Sequence, residues 1–241
     1  MKVGVSGAAG RMGLITSEAV AAAQDLELGG RFAPGHGADD PAALSGCDVV
    51  VEFGPATSAL ENIARWHSQE SDVVVGSSGF DRRRLEELAE IWGEGPGHCL
   101  VVPNFSLGAA LMMWIAEKAS SYFTAAELIE LHHDRKNDAP SGTALATAER
   151  MKPSGQRAVE SKESIPGARG AEVGQVWIHS IRLPGLLAHQ EVLLGNPGEM
   201  LSIRHDQSDR SAFVPGILLA IRSVSTQTEP LTIGLEGLLG L

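Results

Sequence analysis

Apolar positions along this chain fall into short runs and longer periodic stretches, and the two kinds alternate. Residues 2–6, Lys-Val-Gly-Val-Ser, form an apolar run of strand length. A glycine-bearing turn follows, Gly7-Ala8-Ala9-Gly10-Arg11-Met12-Gly13, and residues 14–23 are helix-forming by composition. The beat then repeats. Runs at 26–32, 47–53, 72–76 and 98–102 read as strands. Gly54-Pro55-Ala56-Thr57 turns into a helix reaching about residue 68, and Asp81 caps a helix running to about residue 92. The Gly/Pro/Asp-rich stretch 34–41 reads as a loop. Strands alternating with helices predict a doubly wound parallel sheet.

From residue 107 the pattern changes. Residues 107–122 predict one apolar helix, and Met112, Met113 and Trp114 within it read as packing. A strand begins at Glu127, with Glu130 interrupting the apolar Leu128, Ile129 and Leu131, as a half-buried strand allows. It runs into His132 and His133, a polar loop with Arg135 and Lys136, and Pro140-Ser141-Gly142-Thr143 before a helix at 144–151. Residues 151–169 form a polar connection. Residues 176–182, 189–194 and 200–205 predict strands of a second sheet, with Gly195-Asn196-Pro197-Gly198 as a hairpin turn. A last helix is expected at 213–222.

Composition narrows the function. The 241 residues fit one large domain or two small ones, and 43% hydrophobic content supports a sizeable core. A formal charge of −11 disfavours nucleic acid as a partner. The triplet Arg82-Arg83-Arg84 is balanced by Glu86, Glu87 and Glu90 and reads as a solvated first turn. No apolar run approaches membrane-spanning length, and the first residues lack a secretory leader pattern, so a cytoplasmic protein is expected. Cys47 and Cys99 sit beside apolar residues and read as reduced core thiols. His179, His189 and His205 fall on different strands without ligand spacing, so no metal site is expected.

Two stretches carry candidate chemistry. Strand, glycine turn and helix at the chain's start is the context that a dinucleotide fingerprint requires. The spacing is G-x-x-G-x-x-G rather than G-x-G-x-x-G. The fingerprint also expects an acid at the end of the second strand, to hold a ribose hydroxyl. That place falls near Ala33, with Arg31 the nearest ionisable side chain. In the second stretch, His132, His133, Arg135 and Lys136 set proton donors and positive charge side by side in an otherwise acidic chain. Ser141-Gly142-Thr143 places free N–H groups and two hydroxyls at a helix start, a site for a carboxylate or phosphate. Singly, a histidine pair is more often polar surface and a Ser-Gly-Thr only a cap. Their clustering favours a pocket for a small anion that needs protonating.

Glu130-Leu-His132-His133-x-x-Lys136-x-Asp138-x-Pro140-Ser-Gly-Thr143 closely resembles the signature of the 4-hydroxy-tetrahydrodipicolinate (dihydrodipicolinate) reductase family. The likeness extends over nearly the whole chain. Gly76-Ser77-Ser78-Gly79-Phe80 resembles the family's Gly-Thr-Thr-Gly-Phe, and Asn104-Phe105-Ser106 its Asn-Phe-Ser segment. Gly54 departs from it, since a hydroxyl residue usually follows the Phe. The resemblance implies a Rossmann-like α/β cofactor domain at 1–104 and 213–241, and an α+β substrate and oligomerisation domain with a mixed sheet at 105–212. It implies reduction of 4-hydroxy-tetrahydrodipicolinate to tetrahydrodipicolinate, with loss of water, by NADH or NADPH in lysine and diaminopimelate biosynthesis. His132 would be the acid/base residue and Lys136 the proton donor. His133, Gly142 and Thr143 would bind the dicarboxylate substrate. Gly7, Ala8, Ala9, Gly10, Arg11, Met12, Gly76, Ser77, Ser78, Val102, Pro103, Asn104 and Phe105 would hold the cofactor. A homotetramer through the second sheet is also implied. Two other readings remain: a nicotinamide oxidoreductase acting on another small acid, and a dinucleotide-binding protein without catalysis. The departures at Ala33 and Gly54 lie in the cofactor half and favour the former weakly.

Overall fold

The computed structural model describes residues 1–93, 95–155 and 162–240. Two compact units emerge, Met1–Leu107 with Phe213–Leu241, and Gly108–Ala212.

The first unit is built on six parallel strands. In chain order these are β1 (Lys2–Ser6), β2 (Glu27–Phe32), β3 (Val49–Glu52), β4 (Asp72–Val75), β5 (Cys99–Val101) and, from the C-terminal segment, β11 (Leu231–Ile233). Their order across the sheet is β11-β5-β4-β3-β1-β2, so the winding reverses between β1 and β3. The near-continuous valine runs follow from burial on both faces. On one face Val3, Val49, Val51, Val74 and Leu100 pack with α1 (Arg11–Ala22) and α6 (Val214–Ser223), through Val20, Ile217 and Ile221. On the other, Val50, Val73, Val75 and Val101 meet α2 (Ala56–Ser68) and α3 (Arg82–Trp92), through Ile63, Trp66, Leu88 and Trp92. Asp81 caps α3 by accepting from the Arg84 N–H at 2.9 Å.

The second unit carries a mixed five-stranded sheet. Its strands are β6 (Ala125–His132), β7 (Ala171–Val173), β8 (Val176–Arg182), β9 (Ala188–Asn196) and β10 (Glu199–Gln207), ordered β10-β9-β6-β8-β7. Of this sheet's neighbouring strand pairs among the described residues, only β6 and β8 are parallel. Ala126, Leu128, Val176, Ile178, Val192 and Leu194 pack on one face against α4 (Leu107–Ser120) and α5 (Gly142–Arg150), through Ala116, Ala144 and Ala148. The alternate residues Glu127, Ile129, Leu131, Trp177, His179, Glu191 and Leu193 form the other face and are half-buried. β9 and β10 join through Pro197-Gly198, with Gly198 at φ 89°. Within the polar connection at 151–169, residues 156–161 lie outside the described residues. Two three-residue strands, β7 and β11, have no counterpart in the hydrophobic pattern, because a polar residue, Glu172 or Thr232, splits each short run.

Candidate functional site

The first unit holds a cleft of about 640 Å³ beyond the carboxyl ends of β1, β2, β3 and β4. It lies at the reversal of strand order, where open α/β sheets bind ligands. Its floor is the turn between β1 and α1. Gly7 sits at φ 70°, and a Cβ there would meet the Phe53 carbonyl carbon and oxygen at 2.5 Å. A Cβ on Gly13 would approach the Gly7 oxygen to 2.2 Å, so this glycine lets the helix seat against the turn. Gly10 caps α1 without a side chain, and the first helical turn has no acid. The N–H groups of Arg11, Met12 and Gly13 therefore meet the cleft without competition. This cradle fits a pyrophosphate.

Gly7, Ala9, Gly10, Arg11, Met12, Gly76, Ser77 and Ser78 line the cleft. Ala8 does not; its side chain is buried against Val5 and Ala33. Val102, Pro103, Asn104 and Phe105 follow β5 and do not line it either. Val102 and Phe105 are core residues, and Asn104 Oδ1 accepts from the Ser106 N–H at 2.9 Å. Ser77 Oγ donates to the Gly54 carbonyl at 2.8 Å, joining the β4 and β3 ends. Beneath this wall the Glu52 carboxyl is fully buried, accepting from Gly54 N–H at 2.6 Å and Trp66 Nε1 at 2.9 Å. Burial raises its pKa, against the hydrogen bonds from Trp66, Gly54 and Asn62.

β2 ends at Phe32, and Ala33 lines the cleft. Among the described residues no Asp or Glu shares the lining, whereas Arg11 and His36 do. Asp39 and Asp40 are engaged in their own loop, accepting from the N–H groups of Gly35 and Ala42.

In the second unit the proton-bearing residues gather at the end of β6. His132 is the last residue of that strand. Its Nδ1 lies 2.5 Å from Glu130 Oε2. The hydrophobic pattern makes Glu130 the polar break of a half-buried strand, but it is fully buried and faces inward with Ala126 and Leu128. The burial is tolerated because both carboxylate oxygens have cationic or N–H partners. Arg182, opposite His132 on β8, donates from Nη2 to Oε1 at 2.8 Å and from Nη1 to Oε2 at 2.9 Å. Burial pushes the Glu130 carboxyl up, but hydrogen bonds from His132, Arg182 and Ser180 outweigh it and hold the pKa at about 2. Arg182 Nη2 also donates to the Asp138 carbonyl at 2.5 Å, tying β8 to the loop. In that loop Lys136 Nζ donates to both Asp138 oxygens at 2.8 Å, and the Lys136 N–H donates to the His133 carbonyl at 3.1 Å. This ion pair is the leading cause of the lowered Asp138 pKa. His133 is half-buried, with an Nδ1 that is buried and unpartnered.

Ser141 caps α5, its Oγ accepting from the Ala144 N–H at 3.2 Å. The N–H groups of Gly142 and Thr143, first in the helix, have no intrahelical partner. A Cβ on Gly142 would meet nothing within 4 Å, so the helix start is open to a ligand. The Thr147 hydroxyl donates to the Thr143 carbonyl at 2.7 Å and accepts from Gln190 Nε2 at 2.8 Å, fixing α5 over β9.

Glu130 opens the motif that carries the family resemblance, but the sequence assigns it no task, and Arg182 carries no signal, since a strand-end arginine is common. Of the histidines on β8, β9 and β10, His179 pairs with Glu127 at 2.6 Å and His189 with Asp206 at 2.7 Å, while the His205 ring would meet a Cβ on Gly108 at 2.6 Å. Among the described residues no group of three or more His, Cys, Asp or Glu is placed to hold a metal ion.

Residues 1–105 match the family described as "Dihydrodipicolinate reductase, N-terminus", and residues 108–239 match "Dihydrodipicolinate reductase, C-terminus". The 4-hydroxy-tetrahydrodipicolinate reductase of Cutibacterium acnes is 45% identical over 248 residues, covering 100% of this chain and 99% of that protein. The enzyme of the same name from Thermobifida fusca is 45% identical over 249 residues, covering 100% of both. Among solved structures, dipicolinate-bound dihydrodipicolinate reductase from Paenisporosarcina sp. TG-14 superposes with a TM-score of 0.86 at 32% identity, covering 98% of each chain. With both halves matched and full-length relatives at this identity, the chain belongs to the dihydrodipicolinate reductase family.

Proposed function

We propose that this protein reduces 4-hydroxy-tetrahydrodipicolinate with NADH or NADPH and a proton, giving tetrahydrodipicolinate, the oxidised cofactor and water, as a step of lysine and diaminopimelate biosynthesis. The observation that carries this reading is the assembly of His132, His133, Lys136 and the α5 start at one end of β6. The first unit is the cofactor domain and the second the substrate and oligomerisation domain. When bound, the nicotinamide supplies the hydride.

The chain's own residues have separable tasks. N–H groups of the Gly7–Gly13 turn hold the pyrophosphate, Gly76, Ser77 and Ser78 form the facing wall, and Ala8 and Val102–Phe105 support the site. Gly142 and Thr143 bind one substrate carboxylate through N–H groups and a hydroxyl. Lys136 pairs with a carboxylate by exchanging Asp138 for the substrate, which delivers a charged ammonium to the ring. His133 contacts substrate. Hydride addition leaves negative charge on the ring, which a proton from Lys136 or His132 quenches.

A homotetramer is supported by the uncovered face of the second sheet, where Ile181 is 40% and Met200 67% exposed. Light scattering on the purified chain tests it. A cytoplasmic place is consistent with two free, buried cysteines, Cys47 and Cys99. Among the described residues no helix is long and apolar enough to cross a membrane. The catalytic reading is tested by following NAD(P)H oxidation with enzymatically generated substrate. Cofactor binding without turnover would sink it.

A further inference from the structure

The buried Glu130–Arg182 pair has no task in the reaction as proposed. A carboxylate gripped on both oxygens by a guanidinium remains an acceptor, so the ring nitrogen 2.5 Å away, His132 Nδ1, must carry the hydrogen. That leaves Nε2 as the nitrogen available to substrate. The same guanidinium reaches the carbonyl of Asp138, whose carboxylate holds Lys136. One side-chain pair thus braces both proton-bearing groups, from β6, β8 and the loop, across a separation of 52 residues in sequence.

We propose that Glu130 and Arg182 are positioning residues that fix the orientation and tautomer of His132, supply the counter-ion for its protonated form, and register the Lys136 loop. The proposal rests on the reading of His132 as the acid/base residue. Glu130 lies on its own strand, Arg182 on β8, and Lys136 and Asp138 in the loop, with His133 following it. β9 contributes neutral Ala188 and Gln190 to this face, and α5 the neutral Thr147. Glu130 is therefore the anion in direct contact with the ring, and Arg182 keeps it from taking the proton itself.

The decisive measurements are ring ¹⁵N NMR of His132 in the full-length chain and the split between kcat and substrate KM. In the parent chain the neutral ring should carry its proton on Nδ1. In Glu130→Gln, an isosteric change, the population should move toward the Nε2–H tautomer. In that variant kcat should fall by about 10- to 100-fold, the usual scale for groups that orient a functional side chain. Substrate KM should change by less than about threefold on the same scale. Arg182→Gln should lower kcat on the same scale, again with KM little moved. A tautomer change joined to a loss confined to kcat is not the behaviour of a pair that merely supports the fold. An unchanged tautomer and kcat in Glu130→Gln, with an active parent, overturns the proposal. So does failure of both variants to fold, which would make the pair a scaffold alone. An inactive parent would instead overturn the functional reading, and the NMR result would still judge the orienting role.

Discussion

At the scale of single residues, neighbouring side chains explain what isolated positions do not. Gly54 stands where the family resemblance calls for a hydroxyl residue. A Cβ there would lie 2.4 Å from Glu52 Oε1, which is fully buried and held by Gly54 and Trp66. The long carboxylate fills the space that a side chain at 54 would take. Gly54→Thr should therefore destabilise the first unit by about 1–3 kcal/mol, the range for overpacking. Pairing it with Glu52→Asp should recover part of that loss. Strict additivity in denaturant unfolding of the two single variants and the double variant would remove the explanation. The proton donors give a second test. His132→Ala and Lys136→Ala should each lower kcat by roughly 100-fold or more, as for loss of a general acid, with cofactor affinity little changed. A variant retaining more than about a third of the parent turnover, against that same scale, takes its residue out of the mechanism. At Thr143, substitution by Val deletes a hydroxyl and keeps the shape. It should raise substrate KM more than it lowers kcat; an unchanged KM would mean that the residue serves only the helix start.

At the scale of elements, the end of β2 decides the cofactor. An acid there would accept from the ribose hydroxyls of NADH and repel a 2′-phosphate, and the contact is worth about 1.5–3 kcal/mol. Ala33 occupies the place and lines the cleft, while Asp39 and Asp40 are committed to their own loop. NADPH should therefore be used at least as well as NADH, and Ala33→Asp should move the kcat/KM ratio toward NADH by about tenfold, or 1.4 kcal/mol. A parent preference for NADH of that size contradicts the assignment. The strands of this unit could be read from valine runs because burial on both faces leaves little polar interruption. β7 and β11 could not, because a polar residue, Glu172 or Thr232, splits each short, half-exposed run, whereas the equally short β5 is wholly buried. His132 and Lys136 stood out by residue type, but Arg182 meets Glu130 from 52 residues away, and only the parallel register of β6 and β8 brings them together.

At the scale of the whole molecule, acid acts with opposite sign on the two units. Glu130 has its pKa lowered from an ordinary 4.5 to about 2. Its contribution to stability is present above 4.5 and is lost as pH falls toward 2, because the unfolded chain takes up the proton first. Asp206, lowered to about 2 chiefly by its bond to Arg204, pulls the same way, though as an exposed group it is screened. His205 is lowered by burial, so the second unit also loses stability as pH falls through its ordinary value of 6.5. In the first unit Asp25, lowered by its bond to Arg222, is fully exposed and screened, while the buried Glu52 is raised. Its contribution is present below its ordinary value of 4.5 and is lost as pH rises through the folded value. Acidification therefore weakens the unit that carries His132 and relieves the unit that carries the glycine turn. Hydrogen exchange along an acid titration should show the central strands of the second sheet, β6 and β8, losing protection before β1 and β3. Glu130→Gln should narrow the gap by removing the largest buried contributor on one side. Simultaneous loss in both units, or earlier loss in β1 and β3, would mean that the two buried carboxyls do not govern acid stability.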